Sequence, residues 1–198
     1  MWSSPTSAYS KTISMEPPPK ITYPRINFTG KIHLITCDQE LAEVIPGLNS
    51  AQILGFDTET RASFKVGEVY KVALLQLATE TDAYLIRLHG IRNFEAITHI
   101  LENPHVRKVG VAIRDDLKTL QKSFKFVPEN FIELQTVAKE KGLKNMGLRG
   151  MTEEVLQSSL SKKAKISNWE IKTLSPEQIL YAATDAWIGL KLYQALTS

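Results

Sequence analysis

The sequence predicts an α/β domain with a mixed central sheet and helices on both faces. Three observations carry this: most strand-forming runs come early, strand and helix patterns then alternate, and the last third is helical. Lys31–Thr36 reads as a strand. Gln39–Ile45 reads as a short helix ended by Pro46-Gly47, and Ala51–Asp57 as a second strand. Tyr70–Thr79 is an apolar run rich in strand formers, with Ala83–Leu88 as its hairpin partner across Glu80–Asp82. Phe94–Leu101 follows as a helix and Arg107–Val111 as a strand, and Asp116–Lys122 opens a further helix. The C-terminal third reads as helices broken near Gly142, Gly150 and the 161–168 region. The final helix is the best specified element, because Ser175 is a natural N-cap, Pro176 suits the first helical position and Gln178 completes a capping box.

Five of the nine prolines fall within the first 24 residues, three of them as Pro17-Pro18-Pro19, so residues 1–27 are read as a flexible N-terminal arm and 28–198 as one folded domain. A chain of 198 residues with 43% hydrophobic and 23% charged residues has a sizeable core and is not collagenous, mucin-like or mostly disordered. No apolar run approaches the roughly 20 residues that cross a bilayer, and no secretory leader pattern opens the sequence. Cys37 is the single cysteine, which excludes an internal disulfide and a multi-thiolate zinc site. The expectation is a soluble cytoplasmic protein without a membrane partner.

The net charge of +3 is no nucleic-acid signature, but its distribution is uneven. From Lys139 to Lys172 there are eight Lys or Arg against four Glu. Such a stretch either tracks phosphates or merely solvates one face, and Lys162, Lys163 and Lys165 are its candidate nucleic-acid contacts.

The candidate chemistry lies in carboxylates. Strand alternation puts Asp57 and Glu59 on one face, roughly 6.6 Å apart along the strand. Emerging from the apolar run Ile53–Phe56, the pair is either a polar strand end or a cation site, because two converging carboxylates repel unless something neutralises them. Tyr181 and Asp185 are four apart on the final helix and share a side of it, either as a structural hydroxyl–carboxylate pair or as part of a site. In Val109–Leu117 a strand runs into a helix, and Asp115 and Asp116 compete for the inward position. Asp116, four before Leu120, is the better candidate, with Asp115 as helix cap or solvent residue. The four histidines are scattered without ligand spacing, and no phosphate loop or nucleophile elbow is present.

In order, F-D-T-E-T at Phe56–Thr60, V-G-V-A-I-R-D-D-L at Val109–Leu117 and Y-A-A-T-D at Tyr181–Asp185 resemble the three motifs of the DEDD exonuclease superfamily, in its DEDDy form. The chain is most similar to Werner-syndrome-type exonuclease domains and, more distantly, to ribonuclease D. Lys71–Leu77, Ser167–Trp169 and the stretch ending at Asp185 support this over about residues 28–198. The resemblance implies a ribonuclease-H-like fold and a 3′–5′ exonuclease releasing nucleoside monophosphates. It implies Asp57, Glu59, Asp116 and Asp185 as ligands of two divalent cations, Mg²⁺ or Mn²⁺, about 4 Å apart, with Tyr181 positioning the attacking water. The expected partner is a nucleic-acid 3′ end, DNA rather than RNA, since no further helical nucleic-acid-binding domain follows residue 198. The alternatives are a ribonuclease D-like action on RNA and a binding domain without hydrolysis. Oligomeric state is not indicated.

Overall fold

The computed structural model describes residues 22–62, 70–161 and 167–198. Six strands form one sheet: β1 (Lys31–Ile35), β2 (Ile53–Thr60), β3 (Val72–Ala78), β4 (Asp82–Arg87), β5 (Arg107–Gly110) and β6 (Phe131–Glu133). Their spatial order is β1-β4-β3-β2-β5-β6. The β3 strand runs antiparallel to both neighbours, β2 and β4, while the β1–β4, β2–β5 and β5–β6 pairs are parallel. The sheet is therefore mixed, as the early hairpin and later alternation predict.

Side-chain alternation divides the core in two. Leu54, Phe56, Leu75, Leu77 and Ile86 face one way and pack with Leu41 and Leu48 of α1 (Asp38–Ser50) and with Ile97 and Ile100 of α2 (Glu95–Leu101). Leu74, Ala78 and Leu85 face the other way. They meet Ala182, Ala183 and Ala186 of the C-terminal helix, Pro176–Thr197, whose small side chains let it approach the strands closely. A Cβ on Gly55 would lie 1.9 Å from the Ala186 carbonyl oxygen, so glycine at this position is what allows the helix to lie against β2. The helix begins as expected: Ser175 and Gln178 form a reciprocal capping box, with Pro176 at the start.

Several boundaries differ from the sequence reading. Helix α1 continues through Pro46-Gly47 to Ser50. An internal proline costs about 3 kcal/mol, but the last turn buries Leu48 completely, seven residues on from buried Leu41. Helix α3 spans Ile113–Leu120 and starts three residues before Asp116, because buried Ile113 anchors its first turn. Strand β6 was not expected; three residues are too few to show alternation, and it exists through its pairing with β5. Helix α4 is Leu134–Glu140, and Gly150 lies inside α5 (Leu148–Leu156) rather than ending it. There Met151 and Thr152 are wholly buried, which outweighs the roughly 1 kcal/mol that glycine costs a helix. The C-terminal helix is numbered α6.

Residues 22–27 also lie against the domain. Ile26 donates its N–H to the Ser159 carbonyl at 3.1 Å and Ser159 donates back to the Pro24 carbonyl at 2.8 Å. Phe28 then enters the core, its ring edge-on to Trp187 at 5.8 Å. No helix among the described residues is long and apolar enough to cross a membrane.

Candidate active site

The site forms where β2 ends beneath α6. Asp57 and Glu59, two apart on β2, project to the α6 side of the sheet, and there they meet Asp185. One carboxylate oxygen from each of Asp57, Glu59 and Asp185 lies within 4.8 Å of the other two. Three acids at this distance are unfavourable in a recessed place, and the effect on Asp57 is large. Its carboxyl is pushed well above the usual carboxylate range, first by burial, then by Asp185 and by Asp116. The Thr58 N–H at 2.9 Å from Asp57 Oδ1 opposes this only in part.

Asp116 arrives from the opposite side of β2, on α3. It is tied to the strand through Thr58, whose hydroxyl donates to Asp116 Oδ1 at 2.7 Å. Burial raises the Asp116 carboxyl to about 6; Thr58 lowers it and Asp115 and Glu133 raise it. Asp115 is instead in solvent, its side chain 91% exposed and 3.4 Å from Lys118 Nζ. The turn that delivers Asp116 is strained, since Ala112 adopts a left-handed conformation at φ 60°. Its N–H donates to Glu133 Oε1 at 2.9 Å, and the same carboxylate oxygen accepts from the Gln135 N–H at the start of α4. Glu133 thereby fixes the turns at the ends of both β5 and β6.

Tyr181 lies one turn before Asp185 and its hydroxyl bonds to that carboxylate. Burial and the negative charges of Asp185, Glu59 and Asp57 keep its proton bound far above the ordinary phenol range. Its ring stands 6.2 Å from that of buried Trp169. Directly across the ladder from Asp57 is Gln76 of β3, fully buried, with no partner for either amide atom among the described residues.

All five residues expected from the sequence thus lie around one strand end. Asp57, Glu59 and Asp185 form the tight cluster, Tyr181 borders it on α6, and Asp116 joins through Thr58 on the far side of β2. Lys162, Lys163 and Lys165 lie outside the described residues. Sequence reading missed Thr58, which points to the opposite face from Asp57 yet bonds two of the acids; its position between Asp57 and Glu59 was the available signal. The donor set fits a hard divalent cation: it is all oxygen, converging and mutually repelling, with no sulfur or imidazole.

A 3′–5′ exonuclease family model matches residues 32–198. The chain is 34% identical over 183 residues to the mouse bifunctional 3′–5′ exonuclease/ATP-dependent helicase WRN, covering 87% of this chain and 13% of that protein. It is 30% identical over 165 residues to ribonuclease D of Haemophilus influenzae, covering 82% of this chain and 41% of that one. The solved structure of Escherichia coli RNase D superposes with a TM-score of 0.76 at 26% identity, over 86% of this chain and 44% of that chain. The chain therefore spans well under two thirds of the length of these relatives.

Proposed function

The chain belongs to the 3′–5′ exonuclease domain family, and from that premise we propose that it removes nucleoside monophosphates from nucleic-acid 3′ ends at the β2–α6 site. The observation that carries this reading is the convergence of Asp57, Glu59 and Asp185, with the Asp57 carboxyl forced upward by its neighbours. Acids are held together against repulsion where a cation is to be bound. In this reading Asp57, Glu59 and Asp185 would hold one divalent cation, magnesium or manganese, and Asp116 would help hold a second. Such ions, when bound, supply Lewis-acid stabilisation of the phosphate oxygens and ease deprotonation of water.

The protein's own part is positional. Tyr181 keeps its proton at neutral pH, so it serves as a hydrogen-bonding group that orients the attacking water rather than as a base. Asp185 fixes that hydroxyl, and the close seating of α6 on Gly55 fixes the pair relative to β2. Thr58 keeps Asp57 and Asp116 at a set separation by bonding to both. DNA is the proposed polymer, supported by the identity to the exonuclease/helicase. The ribonuclease D relatives and fold neighbours favour RNA as the second reading. The single Cys37 fits work in the reducing cytoplasm.

The test is degradation of 5′-labelled single-stranded DNA, recessed-end duplex and RNA with Mg²⁺, Mn²⁺ or EDTA, beside Asp57→Ala. A metal-dependent ladder that shortens from the 3′ end and disappears in the variant is expected. Intact substrates under every condition would reject the reading and leave a binding domain.

A further inference from the structure

Beside the acidic cluster, on the outer flank of α6, lies a cleft of about 190 Å³. Glu177, Leu180, Tyr181, Thr184 and Asp185 of α6 form one wall; Leu160 and Ser161, with Arg25 and Asn27 of the N-terminal segment, form the rest. The N-terminal segment is held there firmly. It bridges in parallel to Ser159 through Arg25, and the Ser159 hydroxyl donates to the Tyr23 carbonyl at 3.0 Å. The Phe28 N–H donates at 3.1 Å to the hydroxyl of Thr184, the residue next to Asp185. The Thr184 hydroxyl in turn donates to the Leu180 carbonyl at 2.6 Å, so the segment is fastened to the turn of α6 that carries Tyr181 and Asp185.

The lining is chemically divided. Leu160, Leu180 and the Tyr181 ring are apolar or flat, Asn27 offers a carboxamide with both donor and acceptor, and Arg25 is the cation among the described lining residues. Glu177 and Asp185 are acids, so among the described lining residues Arg25 is the group suited to receive an anion. Arg25 is exposed and makes no ion pair among the described residues. The volume falls below the roughly 300–1,000 Å³ of pockets for drug-sized ligands and suits a single ring system. A guanidinium matches phosphate geometry, while apolar walls and a carboxamide match the face and edge of a base.

We propose that this cleft is a nucleotide subsite: Leu160 and Leu180 enclose a nucleobase, Asn27 bonds to its edge, and Arg25 takes the phosphate. The subsite deepens the proposed function and rests on it for its role. The N-terminal segment becomes a substrate-binding element, with Arg25 and Asn27 determining how a strand end is held beside Asp185. Occupation requires no metal, which separates its test from that of hydrolysis.

The test uses the full chain, metal-free, with methyl-labelled leucines followed by NMR. Titration with dAMP is expected to shift the Leu160 and Leu180 methyls, with 2-deoxyribose 5-phosphate leaving them in place. AMP beside dAMP distinguishes a ribonucleotide from a deoxyribonucleotide source. Arg25→Ala is expected to weaken dAMP binding about tenfold, equivalent to about 1.4 kcal/mol, and to raise KM for a strand while kcat changes less than twofold. Asn27→Ala should narrow the difference between dAMP and deoxyribose phosphate. Unmoved leucine methyls at millimolar dAMP, or wild-type affinity in Arg25→Ala, would overturn the subsite. A titration that succeeds while the wild-type protein hydrolyses nothing would instead remove the proposed function and leave a nucleotide-binding cleft. Melting temperatures of both variants near that of the wild type would exclude simple loosening of the segment.

Discussion

Asp57 and Lys108 stand on neighbouring parallel strands, β2 and β5, and both carry a titratable group into the interior. Their surroundings differ. Lys108 is fully buried on the α2 side, where its ammonium donates to the carbonyls of Asn103 at 2.9 Å and Ile100 at 3.3 Å and lies 5.0 Å above the Phe131 ring centre. It closes the open C-terminal end of α2, where these carbonyls and the ring face offer negative potential. Asp57, on the opposite face, meets two further acids and the amide of Gln76, which has no partner among the described residues. A charge surrounded by ligands belongs to the architecture, whereas a charge surrounded by like charges is held in readiness for something that binds. Neighbouring strands thus carry one charge provided with partners and one set among like charges.

Removing Asp57 should change the protein most. Asp57→Asn should cut metal-dependent hydrolysis by on the order of a thousandfold or more, yet raise the urea midpoint in metal-free buffer, because a repelling charge is removed. Single-turnover kinetics and equilibrium unfolding check the two halves. Lys108→Ala should do the reverse, costing about 2–4 kcal/mol through a cavity and two orphaned carbonyls. Activity per folded molecule should stay unchanged, as measured by kcat after active-site titration.

The pH dependence sharpens the contrast, because Lys108 and the site carboxyl Asp116 titrate with opposite sign. Burial lowers Lys108 from 10.5 to about 8 in the folded protein. The unfolded chain binds the extra proton between those values, so this group's contribution to stability grows as pH rises through that window. Asp116 is raised from 3.8 to about 6. Without metal, its contribution is full below the unfolded value and is lost as pH climbs from about 4 to 6. Urea unfolding across pH, with Lys108→Met and the double variant Asp57→Asn/Asp116→Asn as references, should flatten one limb in each variant, because Asp57 is raised as well. A limb that survives in its own variant would show that the group was wrongly assigned. The smallest effect concerns Gln76: Gln76→Met keeps the volume and removes two buried atoms that have no partner among the described residues, so stability should rise by about 1 kcal/mol. A loss on thermal denaturation would mean that the amide has a partner in solution.

The same division governs what was legible in the sequence. Local rules read the capping box of α6, the strand alternation that puts Asp57 and Glu59 together, and the helical stripe that favours Asp116 over Asp115. Features made by distant contacts were not readable. Strand β6 forms only through β5, and α1 passes Pro46 because Leu48 finds the core. Thr58 bonds to Asp116 across 58 positions, and Phe28 to Thr184 across 156, which is why residues 22–27 read as part of an arm. Gln76 could have been flagged as the polar residue within Val72–Ala78, but its placement opposite Asp57 depends on the β2–β3 register.

The proposed function requires divalent cations to relieve the repulsion within the β2–α6 cluster, and thermal unfolding during titration with Mn²⁺ decides this. The melting temperature of the wild-type protein should climb with concentration, as ligand binding to the folded state requires, and that of Asp57→Asn should start higher and stay nearly flat. An equal rise in both, or none in the wild type, would contradict it.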